Sequence, residues 1–258
     1  MLVALAAVGA MLAARRMAPT GGLYGGTRGI GVYGAVQGSL GVLIAFVIFL
    51  AFQSYVGARN AAQDEATAVL ELFRTAELLP APYRGQEDRQ LVCYARAVAG
   101  PEWRAMKDER ASPLVDAAAA RTNATFAAAE RSGRVSGPVA STWLANADER
   151  AHGRQRRLAE ATPFVPRLLW VMLVGGLLAV LALLLGFADP SERALGQALI
   201  AAAPAVILAS GLALVYFFDH PYEGLSGSIQ PVAMERALDR MIATERVTEV
   251  RPAPCPTI

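Results

Sequence analysis

The residues of this chain best suited to chemistry are its two histidines, its two cysteines and a few carboxylates and hydroxyls near apolar stretches. His152 and His220 are far apart, and neither falls in an HExxH or HxH spacing that would put two imidazoles on one metal. Cys93 and Cys255 are so distant in sequence that they read as two unrelated free thiols, not as a disulfide framework or a thiolate cluster. Asp219 and Glu223 sit in "DHPYEG", and two carboxylates supply oxygens without making a calcium cage. That stretch reads first as a turn, in which Asp219 bonds to following backbone N–H groups and Pro221 ends a helix. Ser210 stands beside Gly211 in an apolar segment, with no nucleophile-elbow setting and no base at matching depth. No catalytic group, metal site or cofactor is expected, and an enzyme is the least supported class.

Composition explains where such residues would have to sit. The chain has 258 residues, of which 54% are hydrophobic and only 18% charged, against about 25% charged in a soluble domain. Its mean hydropathy is +0.35. These values belong to a membrane protein. Twenty-four basic and 22 acidic residues leave a net charge of +2 without a long Lys/Arg block, so nucleic acid is not an expected partner.

A hydrocarbon core about 30 Å thick needs roughly 20 helical residues, because backbone groups in lipid must be satisfied within the segment. Three stretches qualify. Residues 29–58 carry no charge and include "LGVLIAFVIFLAFQSY"; residues 168–188, "LLWVMLVGGLLAVLALLLGFA", lie between Arg167 and Asp189; and residues 194–218 contain Pro204 as an expected kink. A fourth stretch, "LVALAAVGAMLAA" at residues 2–14, is short and ends at Arg15 and Arg16. Its composition allows a short span with snorkelling arginines, an interfacial helix or a signal-peptide core. The expected architecture is therefore an all-α integral membrane protein with four membrane helices, or three if residues 2–14 do not cross.

Residues 59–167 are rich in Ala, Arg and Glu and poor in β-branched types, a helical composition. Ala66, Val69, Leu70, Leu72, Phe73 and Leu78 extend the long apolar helix as an amphipathic one, until "PAPYRG" stops it. "EDRQLVCYARAVAGPEW" predicts a second helix with Leu91, Tyr94, Ala95 and Val98 on one face. A third covers Leu114 to Arg131. A fourth starts near Pro138 and presents Trp143, Leu144, Ala147, His152 and Leu158. The predicted domains are membrane helices in 1–58, a helical extramembrane bundle in 59–167, a membrane hairpin in 168–218 and a tail in 219–258 on the bundle's side. Arg59, Arg74, Arg150, Arg154, Arg156, Arg157 and Arg167 flank the spans on that side, against Arg193 in the opposite loop, which predicts a cytoplasmic bundle. Arg15, Arg16 and Arg28 argue the other way.

Gly34, Gly38, Gly41 and Ala45 repeat at four, three and four, with Gly31 close beside them, so they form one side-chain-poor stripe on a helix. In lipid such a stripe lets a second backbone approach, and it reads as a packing surface. "GVYG" superficially matches a potassium-filter motif, but it opens a full span with no preceding pore helix. A second face collects Val42, Phe46, Phe49, Gln53 and Asn60. In an oligomer packed through the glycines this face lines an axis, with the two phenylalanines as an apolar constriction; facing lipid or a neighbouring helix is the alternative.

The chain resembles the bestrophin-like family of bacterial and plant membrane proteins. The likeness rests on an ordered set: the glycine-rich entry to "FLAFQSYVGARNAAQDEATAVLELFRTAELLP", then "YARAVAGPEWRAM", "RRLAEATPFVPRLLWVML" and "FFDHPYEGLSGSIQPVAMERAL". It places family positions at Tyr55, Arg59, Asn60, Glu65 and Trp103, and an exit-turn element at Asp219, Pro221, Tyr222 and Gly224. The short first span departs from the family pattern. The resemblance implies a homo-oligomer in the lipid bilayer that conducts inorganic ions, because bestrophins are oligomeric anion channels with four spans and a cytoplasmic helical vestibule. For a bacterial chain the expected location is the inner membrane. The competing class is a non-catalytic scaffold or sensor binding a partner through its bundle. The 16 basic and 14 acidic residues between 59 and 167 favour anions slightly without fixing selectivity.

Overall fold

The computed structural model describes residues 2–18, 27–247 and 255, and all regular structure among them is helical. The chain divides into two compact units, Met1–Ser54 with Pro163–Asp219, and Tyr55–Thr162 with His220–Ile258.

The first unit holds α1 (Leu2–Met17), the N-terminal part of α2 (Thr27–Ala76), α7 (Arg167–Leu185) and α8 (Ala194–Asp219). Among the described residues, three helices are long and apolar enough to cross a bilayer: α2, α7 and α8. The short N-terminal segment forms a 16-residue helix, about 24 Å long at 1.5 Å per residue and so shorter than the hydrocarbon core. It is nonetheless built into the unit. Met11 packs with Leu184, Ala188 and Ala201, and Arg15 donates to Gln197 Oε1 at 2.6 Å and to the Pro190 carbonyl at 3.2 Å. Leu40, Ile44 and Val47 of α2 meet Leu173 and Val180 of α7 and Leu208 and Val215 of α8 in the unit's core. Pro204 lies inside α8, which continues through it.

Close helix approach does occur, but not at the predicted stripe. A Cβ added to Gly176 would lie 2.8 Å from Leu40 Cδ1, and one added to Gly211 would lie 2.7 Å from Ile44 Cγ2. A Cβ added to Gly31, Gly34, Gly38 or Gly41 would meet nothing within 4 Å. Among the described residues the space over the stripe is open, because α7 and α8 take a different face of α2.

The second unit contains the rest of α2, α3 (Tyr83–Ala97), α4 (Trp103–Ala105), α5 (Pro113–Arg131), α6 (Gly137–Ala159) and α9 (Val232–Val247). Pro113 and Pro138 open α5 and α6 in first-turn positions, where a missing N–H is harmless. The helix expected from Glu87 to Trp103 is instead divided: Val98–Glu102 forms a π turn around Pro101 before the short α4. Leu91, Tyr94, Ala95 and Val98 are all buried as expected, and Phe126 stacks on Trp143 at 4.8 Å between ring centroids.

Two readings are corrected here. The buried stripe of α6 is Trp143, Arg150, Gly153 and Arg157, while Leu144 and His152 face outward. Cys93 and Cys255 are not free: they form a disulfide across 162 residues of sequence, with their Cα atoms 5.5 Å apart. Linear distance carried no signal of that proximity. The sequence reading also left the tail without a helix, although Met234, Ala237 and Met241 recur at helical spacing and are buried on α9.

Gly153 is the least forgiving of these approaches, because the atoms facing it include main chain. An added Cβ would lie 2.8 Å from the Glu65 backbone nitrogen. Gly153→Ala is expected to lower stability by about 1–3 kcal/mol through overpacking. Gly38→Ala, in open space, should leave it unchanged or raise it by up to about 1 kcal/mol. Thermal unfolding in detergent measures both, and a Gly153→Ala protein as stable as its parent would contradict the close contact of α6 with α2.

Candidate functional site

The candidate site starts from α2, whose faces within the first unit differ sharply. Leu40, Ile44, Val47 and Ala51 are buried, none more than 6% exposed. On the opposite side Val42, Phe46 and Phe49 are 72%, 59% and 55% exposed, and Gln53 is exposed below them. Between these two faces runs the bare glycine stripe. Asn60, which belongs to the second unit, is exposed as well. The chain thus leaves all five residues of the predicted axial face uncovered. Phenylalanine in such numbers on an open helix face calls for lipid, another copy of the chain or a dry constriction.

The second unit is held by charges that apolar patterning did not reveal. Arg157 is fully buried and donates from Nε to Glu65 Oε2 and from Nη2 to Glu102 Oε1, each at 2.6 Å. Its guanidinium lies 5.3 Å from the centre of the Trp103 ring. Tyr94 donates its hydroxyl hydrogen to the other Glu65 oxygen at 2.7 Å. Arg154 donates to Glu102 from Nη2 at 2.6 Å, and the amide of Ser112 also reaches Glu102, at 3.2 Å. Arg154 further pairs with Asp116. Arg150 completes the stripe, 5.0 Å above the Tyr94 ring. The family positions Glu65 and Trp103 therefore meet inside one network linking α2, α3, the π turn and α6.

Ionisation follows from these contacts. Burial would raise the Glu102 carboxyl, but the hydrogen bond from Arg154 and the positive charges of Arg157 and Arg154 hold it below the usual carboxylate range. Burial, reinforced by the negative charge of Glu65, pushes the Tyr94 phenol well up. Glu87 on α3 behaves oppositely to Glu102. Burial, then the charge of Asp88, pushes its carboxyl up to about 9, against smaller opposing effects from the Phe126 backbone and Arg150. Glu87 is consequently neutral at pH 7.

The exit-turn residues serve as structural clamps. Asp219 is buried and accepts the Val165 N–H at 2.9 Å, 54 residues back. It joins the end of α8 to the segment entering α7. In the second unit, the Pro221 carbonyl accepts from the Ile229 N–H at 2.9 Å, and Gly224 supplies a left-handed φ of 82°. Tyr222 is buried, lies edge-on to Trp103 at 5.4 Å between centroids and donates to the Ala58 carbonyl at 3.4 Å. Trp103 in turn donates to the Ile229 carbonyl at 3.2 Å. Among the described residues, no group of His, Cys, Asp and Glu is arranged to hold a metal ion.

A model of the bestrophin-like domain matches residues 1–234. The chain belongs to the bestrophin-like family. Its fold is shared with solved structures of a bacterial bestrophin homologue from Klebsiella pneumoniae. The structure phased from zinc is 16% identical, covers 97% of this chain and 99% of its own, and superposes with a TM-score of 0.73. A point variant of that homologue is 15% identical over 94% of this chain and 97% of its own, with a TM-score of 0.74. No curated protein matches the sequence. At this identity the structural likeness defines the fold, while family membership rests on the domain match.

Two measurements test the buried network. Arg157→Met leaves two buried carboxylates without their shared partner and should cost about 3–5 kcal/mol. Arg156→Met removes an exposed pair with Asp64 and should cost less than about 1 kcal/mol. Equal losses in chemical or thermal unfolding would contradict the burial of Arg157. For Glu87, the folded state keeps a proton that the unfolded chain has lost, so stability falls as pH rises from the ordinary carboxylate range toward about 9. Glu102, with its lowered carboxyl, loses its contribution as pH falls instead. Glu87→Gln should flatten the alkaline decline in melting temperature and leave the acid limb in place. An unchanged alkaline slope would show that Glu87 is already ionised at neutral pH.

Proposed function

We propose that copies of this chain assemble around an axis in the bilayer and conduct inorganic ions along the exposed face of α2. The observation that carries this reading is the asymmetry of that helix: its own chain covers Leu40, Ile44, Val47 and Ala51 and leaves Val42, Phe46, Phe49 and Gln53 open. The open space over Gly31, Gly34, Gly38 and Gly41 supports contact between copies, since a neighbouring helix can come close where no side chain intervenes. Phe46 and Phe49 would then form an apolar constriction that gates by excluding water, with Gln53 and Asn60 offering polar contacts beyond it. The small excess of basic residues in 59–167 tilts selectivity toward anions. Bestrophin-like membership supports channel activity. The arginines flanking the spans support an inner-membrane protein with residues 59–167 and 219–258 in the cytoplasm.

The test is ion flux through purified protein in liposomes under a potassium chloride gradient. The expected result is a current whose reversal potential gives the sign of the permeant ion. Replacing Phe46 and Phe49 together by alanine should raise that current several-fold without moving the reversal potential much. A silent protein across pH and calcium conditions, purified as a single copy, would favour a partner-binding scaffold and overturn the channel reading.

A further inference from the structure

The second unit contains a polar cavity of about 340 Å³ between α2 and the segment leading into α9, lined by Tyr55, Arg59, Gln63, Ser228, Gln230 and Arg236 among others. No carboxylate lines it. Neither Arg59 nor Arg236 forms an ion pair among the described residues. The nearby acids of α2 are engaged elsewhere: Asp64 with Arg156, Glu65 with Arg157 and Glu71 with Arg74. Among the described residues, the charged lining of the cavity is therefore positive.

A second observation points to a ligand. Ser228 is 7% exposed and its Oγ is buried without a hydrogen-bond partner. A buried hydroxyl normally finds a partner, because leaving one unsatisfied costs about 1–3 kcal/mol. Ser228, Gln63, Gln230, Arg59 and Arg236 thus line one concavity, and the Ser228 hydroxyl, itself shielded from it, reaches a ligand there by rotation about its Cα–Cβ bond. The Ser228 backbone is fixed by its N–H bond to the Leu225 carbonyl at 2.9 Å, and the side chain of Tyr55 is tied to the Gly227 carbonyl at 2.8 Å. The wall formed by Tyr55 and the Ser228 backbone is preformed. A smaller cavity of about 220 Å³ shares Gln63 and Arg236 and adds Arg240 together with the Glu71–Arg74 ion pair, continuing the groove along the two helices.

We infer that this cavity binds a phosphate group, held by the guanidinium groups of Arg59 and Arg236 and by the Ser228 hydroxyl. Arginine forks match phosphate oxygens in two-point geometry, and hydroxyl and amide donors complete the shell. The volume lies at the lower end of small-molecule sites, which suits a phosphate with an attached ester better than a bare chloride. The phosphate comes either from a soluble anion or from an acidic lipid headgroup.

The experiment uses the purified full chain in a neutral detergent. One arm titrates inorganic phosphate and phenyl phosphate by calorimetry, with sodium chloride at matched ionic strength as the reference. The other measures melting temperature in micelles doped with phosphatidic acid or with phosphatidylcholine. Arg59→Gln and Arg236→Gln are each expected to weaken binding at least tenfold, Ser228→Ala a few-fold, and Arg59→Lys to an intermediate degree. Arg134→Gln, at an exposed arginine elsewhere on the unit, should leave binding unchanged. Saturable binding of the soluble phosphates identifies the first source; stabilisation by phosphatidic acid alone identifies the second. If neither probe binds, or if binding survives both arginine substitutions in proteins that still fold, the inference fails, whether or not the protein conducts ions.

Discussion

The second unit depends on one arrangement, the fully buried Arg157 held between Glu65 and Glu102. Each partner comes from a separate segment: Glu65 from α2, Glu102 from the end of the π turn and Arg157 from α6. Buried charges are costly unless paired and hydrogen-bonded, so these segments can come together only in the register that satisfies all of them. Gly153 makes that register reachable, because only a residue without a side chain lets α6 approach the α2 backbone at Glu65. The ion pairs and the glycine are therefore one device. Such a device adds less to stability than an apolar core would, but it penalises every misaligned packing.

Apolar contacts then fill the space that the charges define. Trp103 lies under the Arg157 guanidinium and edge-on to Tyr222, and its indole N–H reaches the Ile229 carbonyl. The exit turn is thus fastened to the centre of the same unit by an aromatic contact and a hydrogen bond. In the first unit the logic differs. Asp219 caps the Val165 amide, while helix contact rests on leucine and isoleucine side chains against Gly176 and Gly211. Lipid-facing helices have little hydrophobic drive to associate, so close van der Waals fit carries more of the burden.

The spans, the long continuous α2, the starts of α5 and α6 and the buried face of α3 were legible because each rests on a local signal: apolar length, helical spacing or a proline at a first turn. The split of the helix after Ala97 was not, since a π turn around Pro101 depends on where Glu102 must point. The buried stripe of α6 is not legible locally for a related reason. Patterning assigns arginine to the outside, whereas Arg150 and Arg157 are buried here by partners that no local window contains. The glycine stripe was identified as a surface stripped for contact, yet its identity as a close-approach site within the chain belongs to Gly153, Gly176 and Gly211, whose neighbours lie far away in sequence. The axial face stood out because phenylalanine recurs at helical spacing. That Arg59, Ser228 and Arg236 line one cavity did not, because α9 and the segment before it come to α2 only in the folded unit.

The bond between Cys93 and Cys255 ties the far end of the chain to α3. Bonds of this kind persist on the oxidising faces of cells and open where glutathione and thioredoxin keep sulfur reduced. Arginine bias favours the cell interior for residues 59–167, whereas a bridge that persists in cells would call for an oxidising face. The redox state of these two sulfurs in intact cells is thus a reporter of membrane orientation written into the protein itself: a bridge marks the outer face, free thiols the inner one.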